Sequence, residues 1–215
     1  MSHELLNYYG EFIIYKMTRL ALLSACLVLC IASPSFRLGG SEPNPPNWPD
    51  SVKICDPSDA ASCQAAINEV YSENGGHDPD DHGQWSTGRY ALFFKPGNHA
   101  VDINVGYYTS VHGLGTTPHN TVFRSFTCEN GSYNPNNGAL SNFWRSAENF
   151  SVSSSLNWNN HVTTLWAVSQ AAPLRRVVVH GDLDLYQYNS GTYAGYASGG
   201  YMADVTVTGD IYNGS

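Results

Sequence analysis

The chain has 215 residues and a mass of 23.5 kDa, which is enough for one domain with a substantial hydrophobic core. Charged residues make up 13% of the chain and apolar residues 42%, a balance that disfavours a disordered tail and a coiled coil. The formal net charge of −8 would repel phosphate backbones, so no nucleic-acid partner is expected.

An uncharged apolar run extends from Leu20 to Ala32, shortly after Lys16 and Arg19. A helix needs roughly 20 residues to cross a bilayer, so this run is too short for a stable membrane span and suits the core of a signal peptide. We predict a signal peptide over residues 1–35, with Met17 as a possible start, and therefore a secreted, extracellular protein. The mature chain is expected to be a monomer.

The segment 36–50 is rich in proline and has no hydrophobic periodicity, so we predict an extended linker before a folded domain over 51–215. Cys55 and Cys63 lie close together in this domain, and an oxidising compartment would permit a disulfide between them. Cys128 is then left over. We predict a buried or unpaired thiol there, because the sequence identifies no base that would activate it.

One helix is predicted after the linker. Asp59 or Ser62 can cap its N-terminus, Ile67 and Val70 lie on one face, and the Gly-Gly pair that begins at Gly75 ends it. The rest of the chain favours short alternating strands, broken by glycine or asparagine. The predicted strands are 89–95, 99–105, 107–112, 121–128, 150–155, 165–169, 176–180, 183–188 and 202–208.

A loose internal repeat joins the later strands. Its three units begin at Asn142, Leu165 and Gly200. Val152, Val178 and Val207 recur in them at separations of 26 and 29 residues, each after an aromatic strand and a polar corner. Such a period is typical of a solenoid, in which each coil adds short strands to parallel sheets. An antiparallel sandwich also has short strands, but the two-residue hairpin turns that it uses are mostly missing.

Three motifs resemble a known group of proteins. The sequence CQAAIN begins at Cys63, YALFFKPG begins at Tyr90, and VHGLG begins at Val111. These motifs resemble the opening of pectate-lyase-superfamily right-handed β-helices. Two later runs, NFWRSAEN from Asn142 and WAVSQAAPLRR from Trp166, resemble a subgroup of large secreted proteins. The resemblance implies an all-β, single-stranded right-handed parallel β-helix with an N-terminal capping α-helix.

The length of the chain adds an expectation about completeness. Removing the signal and the linker leaves about 165 residues, room for a cap and about five coils at roughly 25 residues each. Members of the group are usually much longer, and no polar capping repeat follows the last strand. We predict that the β-helix domain is incomplete at its C-terminus.

No metal and no cofactor are predicted. The run HDPDDH from His77 contains donor atoms, but it meets no fixed ligand spacing and is interpreted as a solvated insertion. Arg175 and Arg176 could pair with an acidic sugar, as an arginine does in pectate lyases. The acidic calcium ligands of those enzymes are missing, as are the polygalacturonase signatures, of which His180-Gly181-Asp182 is a partial echo.

Hydrolysis of a neutral glycan needs two carboxylates. Asp182 and Asp184 alternate on one predicted strand, so their side chains would share a face about 7 Å apart, and Asp204 lies on the next coil. We predict these three as catalytic; the alternative is that a Gly-Asp pair such as that at Asp182 makes a turn. Nearby tyrosines could stack on sugar rings. The predicted substrate-binding residues are Tyr186, Tyr188, Tyr193, Tyr196, Tyr201, Arg175 and Arg176.

These observations predict a secreted carbohydrate-active β-helix whose partner is an extracellular polysaccharide. A glycoside hydrolase is favoured, and the alternatives are a non-catalytic glycan-binding or structural surface protein and a polysaccharide lyase. Three sequons, at Asn130, Asn149 and Asn213, predict N-glycosylation on a secretory route.

Overall fold

A computed structural model describes part of the chain. The described residues are 46–75, 82–129, 138–158, 160–189, 193–194, 196–197 and 200–213. Contacts divide the chain into two units, Met1–Asn47 and Trp48–Ser215, and the second contains the secondary structure given below. The predicted signal peptide lies outside the described residues. Within them, no helix combines the length and the apolar character that a membrane crossing requires.

Strands dominate the described residues, which contain one α-helix. The helix α1 is Ala60–Asn74. The strands are β1 (Val52–Cys55), β2 (Tyr90–Phe94), β3 (Gly97–Asn104), β4 (Thr109–Gly113), β5 (Thr121–Cys128), β6 (Ser146–Ser153), β7 (Leu156–Trp158), β8 (His161–Trp166), β9 (Pro173–His180), β10 (Asp182–Asp184), β11 (Tyr188–Asn189), β12 (Tyr193–Ala194), β13 (Tyr201–Ala203), β14 (Thr206–Val207) and β15 (Ile211–Tyr212). Single 3₁₀ turns are formed by Pro118–Asn120 and Gly138–Ser141.

The helix α1 forms where the sequence predicts one. The side chain of Asp59 accepts a hydrogen bond from the backbone N–H of Ser62 at 3.1 Å, which satisfies one of the free amides of the first turn. Its buried face includes Ile67 and Val70. Gln64 joins the helix to β3, because its side-chain amide both donates to the carbonyl of Asp102 and accepts from the N–H of that residue.

Thirteen of the described strands hydrogen-bond into one sheet, in which only the β7–β8 hairpin is antiparallel. The pairing forms three parallel ladders. The first joins β1, β2, β4, β13 and the starts of β6 and β9. The second joins the starts of β3 and β5, the ends of β6 and β9, and β14. The third joins the ends of β3 and β5 to β8, β10 and β15.

The chain visits these three ladders in the same order on each pass, with the helix preceding the first complete pass. This arrangement is consistent with an all-β parallel β-helix. The prediction of mostly parallel β-structure with one helix is therefore confirmed for the described residues.

The core is a stack of side chains that point inward from successive passes. In the second ladder, Phe123 pairs with Val152, which pairs with Val179, which pairs with Val207. The predicted repeat therefore has the correct first and last valines, but its middle member is Val179 and not Val178. Three consecutive valines make the alternation ambiguous, and the pairing with β6 fixes the register.

The predicted repeat also aligned residues 165–169 with the start of the unit that begins at Asn142. The structure corrects this alignment: Leu165 lies in β8, which belongs to the third ladder. The strand β6, which follows Asn142 along the chain, pairs with β9 instead. Both segments place an aromatic residue before small ones, which explains why the sequence alone confuses them.

The corner between the first and second ladders has a recurring backbone conformation. Asn149, Arg176 and Asp204 occupy equivalent positions on successive passes, and their φ angles are 61°, 50° and 55°. Non-glycine residues seldom adopt this left-handed region, and asparagine and aspartate tolerate it best. The Asn149 amide donates to the carbonyls of Gly113 at 2.8 Å and Gly115 at 2.7 Å.

The described cysteines have two different states. Cys55 and Cys63 form a disulfide, which ties β1 to the first turn of α1. Cys128 has no disulfide partner and is buried, with its sulfur 3.4 Å from Nη1 of the buried Arg145. Burial raises the pKa of the Cys128 thiol, and the nearby guanidinium opposes this shift. The protonated, inaccessible thiol is therefore favoured.

Candidate functional site

The structure places the three predicted catalytic aspartates in different surroundings. Asp184 is fully buried in β10, and its Oδ2 lies 2.7 Å from Nε2 of His161. The ring of His161 packs against that of Tyr212, with centroids 4.6 Å apart. This carboxylate therefore faces a histidine inside the protein, where a polysaccharide on the surface would not reach it.

Asp182 and Asp204 lie at corners of the backbone. Oδ1 of Asp182 accepts a hydrogen bond from the backbone N–H of Asp210 at 2.9 Å, which connects neighbouring passes of the third ladder. Asp204 is exposed at the left-handed corner between the first and second ladders. The predicted trio is thus divided between two parts of the fold and does not border one groove; a catalytic role for any member stays a prediction.

The predicted substrate-binding residues are also divided. Tyr186 packs edge-on against Trp158 with centroids 5.5 Å apart, and Tyr196 is exposed. The side chains of Tyr188 and Tyr193 lie outside the described part of the structure. The other three predicted residues, Tyr201, Arg175 and Arg176, belong to the first ladder or its corner.

The outward-facing side chains of the first ladder form three parallel columns, because alternate residues of each strand face outward and the strands are in register. We call this surface the outer face. Its aromatic column contains Arg89, Tyr108 and Trp144; its hydroxyl column contains Ala91, Ser110, Ser146 and Pro173; its charged column contains Phe93, His112, Glu148 and Arg175.

The aromatic column forms a stack. The rings of Tyr108 and Trp144 lie nearly parallel, at 15°, with centroids 5.3 Å apart, and the guanidinium of Arg89 lies 3.4 Å from the Tyr108 centroid. Trp85 lies beside Trp144 at 6.1 Å and is 77% exposed. Tyr108 and Trp144 have φ angles of 53° and 59°, and such strained backbone is concentrated at functional sites.

The hydroxyl column forms part of the lining of an open groove. The hydroxyl of Ser146 donates to that of Ser110 at 3.0 Å. The groove has a volume of about 540 Å³ and is bordered on one side by Arg89, Tyr108 and Trp144. Its surface therefore combines flat aromatic groups with small polar ones, a combination that suits a hydroxyl-rich ligand.

The charged column places a carboxylate on the same face. Oε1 of Glu148 lies 3.0 Å from Nδ1 of His112, and Oε2 lies 3.4 Å from Nη2 of Arg176. The ring of Phe93 packs edge-on against that of His112, with centroids 5.4 Å apart. Among the described residues of the three columns, only Glu148 carries a carboxylate, so this surface alone does not supply the pair that glycoside hydrolysis needs.

Sequence reasoning predicted Arg175 of the outer face but missed Tyr108, Trp144 and Glu148. The signal was present as the matching alternations Tyr108-x-Ser110-x-His112 and Trp144-x-Ser146-x-Glu148, which period-two reading of both strands could have aligned. The intervening segment 114–143 conceals the match. Within the described residues, no cluster of three or more His, Cys, Asp or Glu side chains could hold a metal ion.

The predicted glycosylation sites differ in accessibility. Both amide hydrogens of Asn149 are engaged with backbone carbonyls, so a sugar on that nitrogen would displace at least one hydrogen bond. Asn213 is exposed, and Asn130 lies outside the described residues. Glycosylation at these positions stays a prediction.

Comparison with known proteins identifies a relative. No protein-family model matches the chain. An exo-β-1,3-glucanase of Streptomyces sp. (strain SirexAA-E / ActE) is 40% identical over 176 residues, which cover 81% of this chain and 25% of the relative.

Two solved structures are also similar. The structure of sacteLam55A from Streptomyces sp. SirexAA-E matches with a TM-score of 0.60 and 38% identity over 80% of this chain and 28% of that chain. An ensemble refinement of a point variant of sacteLam55A in complex with glucose matches with a TM-score of 0.57 and 38% identity, over 78% and 26% of the two chains. The chain therefore spans about a quarter of the length of these relatives.

These findings correct the predicted membership of the pectate-lyase superfamily. The relative that matches most of this chain is named an exo-β-1,3-glucanase, and the similar structures carry no assignment to that superfamily. The motifs at Cys63, Tyr90 and Val111 lie in α1 and in two strands of the first ladder. They reflect the packing of a helix and parallel strands, which unrelated enzymes can share.

Proposed function

We propose that this chain is part of a glycoside hydrolase that acts on a β-1,3-linked glucan. The observation that carries the proposal is the 40% identity to an exo-β-1,3-glucanase over most of the chain. At this level of identity over 176 residues, the parallel ladders and the groove of the two proteins are expected to correspond. The polysaccharide partner predicted from the sequence agrees with this substrate.

The chemistry of the outer face supports a neutral glycan as the ligand. Tyr108 and Trp144 offer apolar surface, Ser110 and Ser146 offer hydroxyl groups, and the charge of Glu148 is offset by Arg176. Hydrolysis would proceed through an acid and a second carboxylate on opposite sides of the scissile bond. Glu148 is the member of such a pair that this face could provide.

The handedness of the β-helix, the position of α1 and the secretion of the protein are part of the same proposal. We infer that the β-helix is right-handed, as parallel crossover connections nearly always are, and that α1 covers its N-terminal end. The packing of Ile67 and Val70 into the core supports the second inference. The apolar run from Leu20 to Ala32 supports secretion, which would bring the protein to an extracellular polysaccharide.

A non-catalytic glycan-binding β-helix is the second candidate. It is favoured by one observation: among the described residues of the three columns, Glu148 has no second carboxylate beside it. A polysaccharide lyase gains no support from the glucanase relative.

Hydrolysis and lyase activity can be separated in one experiment on the full chain. Purified protein is incubated with laminarin, a soluble β-1,3-glucan, and with polygalacturonate, and both reducing sugar and unsaturated product are measured. The proposal expects reducing sugar from laminarin and no unsaturated product. Retention on immobilised laminarin without release of sugar would favour the binding protein, and unsaturated product from polygalacturonate would overturn the proposed function.

A further inference from the structure

We propose that the outer face is itself a glycan-binding site, in which sugar rings pack against Trp144 and the neighbouring Trp85 while their hydroxyl groups bond to Ser146, Ser110 and Glu148. The choice of a β-glucan as the ligand rests on the proposed function; the site rests on the geometry described here. Nothing in the names of the relatives assigns this surface a role.

Two aromatic groups of this site are exposed to solvent. Trp85 keeps 77% of its surface in contact with solvent, and Trp144 keeps 38%. Exposed apolar surface next to a groove marks a place where something binds. Trp144 stacks on Tyr108 with one face, and Trp85 lies beside it at 6.1 Å, so the surface that these two tryptophans leave exposed suits the apolar face of a pyranose ring.

Trp144, the platform for the sugar ring, is held in place by the stack of Tyr108 and Arg89 beside it. Arg89 stacks on Tyr108 from the side away from Trp144, and its Nη1 donates to the carbonyls of Ser86 at 2.9 Å and Gly88 at 2.7 Å. The hydroxyl of Tyr108 donates to the carbonyl of Gln84 at 2.7 Å. A rigid platform loses little side-chain entropy when a ligand binds, so affinity is gained without the cost of ordering these residues.

The position of the polar groups relative to the platform follows from the geometry of the sheet. Strands in a sheet lie about 4.8 Å apart and alternate residues about 7 Å apart along a strand. Along this segment Ser146 therefore lies about 7 Å and Glu148 roughly 14 Å from Trp144, so a glucan with one ring at Trp144 would bring a following ring toward Glu148. Hydroxyl groups of that following ring can donate to the Glu148 carboxylate, and such charge-assisted hydrogen bonds are the stronger kind.

The charges of this face distinguish a neutral sugar from an acidic one. The cation nearest to the Glu148 carboxylate, Arg176, is already paired with it at 3.4 Å, and Arg89 is stacked against Tyr108. Arg175 is exposed in the same column, but it lies next to the carboxylate of Glu148, which would repel an acidic sugar that paired with it. The face therefore fits a neutral glucan better than a polyuronate.

The test measures binding by calorimetry for the full chain and three variants. Trp144→Ala removes the platform, Trp85→Ala removes an exposed ring that contributes little to folding, and Glu148→Gln removes the charged acceptor. We expect each of the first two to weaken binding of laminarin about tenfold, the effect of losing one aromatic stacking contact. Glu148→Gln should weaken it about threefold to tenfold.

The matched control is Trp158→Ala, which removes a tryptophan from the β7–β8 hairpin, away from the first ladder. It should bind laminarin as the unchanged protein does. Thermal unfolding of every variant checks that the fold is retained, and Trp85→Ala decides the question if Trp144→Ala fails to fold.

The outcomes separate this site from the proposed function. If the protein hydrolyses and binds laminarin but the three variants bind it as well as Trp158→Ala does, the site is overturned and the hydrolase proposal stands. If laminarin is bound and the variants lose binding although no sugar is released, the site stands and the hydrolase proposal fails. Failure of the unchanged protein to bind laminarin, or tighter binding of polygalacturonate, would overturn the site as proposed.

Discussion

Two carboxylate–histidine pairs occur among the residues that the structure describes, and they lie in opposite environments. Glu148 and His112 meet at 3.0 Å on the outer face, where each side chain is 27% exposed. Asp184 and His161 meet at 2.7 Å in the third ladder, where the aspartate side chain is 0% exposed. The residue types and distances are similar, so the difference in burial decides what each pair can do.

The buried pair is placed to support the fold. Asp184 faces His161, and the ring of His161 is in contact with Tyr212 on the next pass, so the pair joins β8, β10 and β15. The pair on the outer face is partly exposed to solvent. Identical chemistry therefore gives a structural contact in one place and a ligand-accessible acceptor in the other.

The largest expected effect comes from breaking the buried pair. Asp184→Ala removes the hydrogen-bond partner of His161 in a buried position, and leaving such a group without its partner typically costs about 1–3 kcal/mol of unfolding free energy. Glu148→Ala, the matched change on the outer face, should cost less than about 1 kcal/mol because solvent screens this pair. Urea denaturation of the two variants measures both values.

The comparison is contradicted if the two variants lose the same stability. It is also contradicted if Asp184→Ala folds normally and fails only in laminarin hydrolysis. That result would return Asp184 to the catalytic role predicted from the sequence.

A smaller effect is expected at Asp182. Its carboxylate accepts one backbone hydrogen bond from Asp210, so Asp182→Ala should lower the unfolding free energy by about 1 kcal/mol. Turnover of laminarin per folded molecule should stay unchanged. At the exposed corner, Asp204→Asn should change neither quantity, because asparagine also tolerates a φ of 55°. A hundredfold loss of turnover in either variant, with the fold intact, would instead support the catalytic prediction.

The sequence predicted those parts of the fold that depend on neighbouring residues. The helix α1 follows from the cap at Asp59 and the spacing of Ile67 and Val70, all within a few turns. The strands follow from alternation within five to eight residues, and β5 has the predicted bounds of Thr121 and Cys128. Register depends on distant partners, which explains why the column of valines was predicted with Val178 in place of Val179.

The candidate site could be predicted only in part, for the same reason. Asp184 looked accessible because its own strand alternates, whereas its burial depends on His161 in β8. Trp144 and Tyr108 are separated by a long segment, and only the pairing of β4 with β6 brings them together. Arg175 and Tyr201 were predicted to bind substrate, and the structure does place them on the first ladder, beside Glu148 and Pro173.

The smallest expected effect is at Tyr212, whose ring packs on that of His161 in the buried pair. Desolvation raises the pKa of the Tyr212 phenol above its usual value of 10.0, and the carboxylates of Asp182, Asp210 and Asp184 add to the shift. Because the folded state holds this proton more tightly, the stability that it contributes is present below pH 10 and is lost as the pH rises through the folded pKa.

The absorbance difference between the unchanged protein and Tyr212→Phe isolates the ionisation of this phenol. Its midpoint should lie above pH 10. Asp184→Asn should lower that midpoint only slightly, because Asp184 is the weakest of the named causes and desolvation remains. A midpoint at or below pH 10 would mean that Tyr212 lies in solvent, away from the three carboxylates. The contact between Tyr212 of β15 and His161, which shields the buried pair on that side, would then be absent. The two carboxylate–histidine pairs would no longer differ in burial.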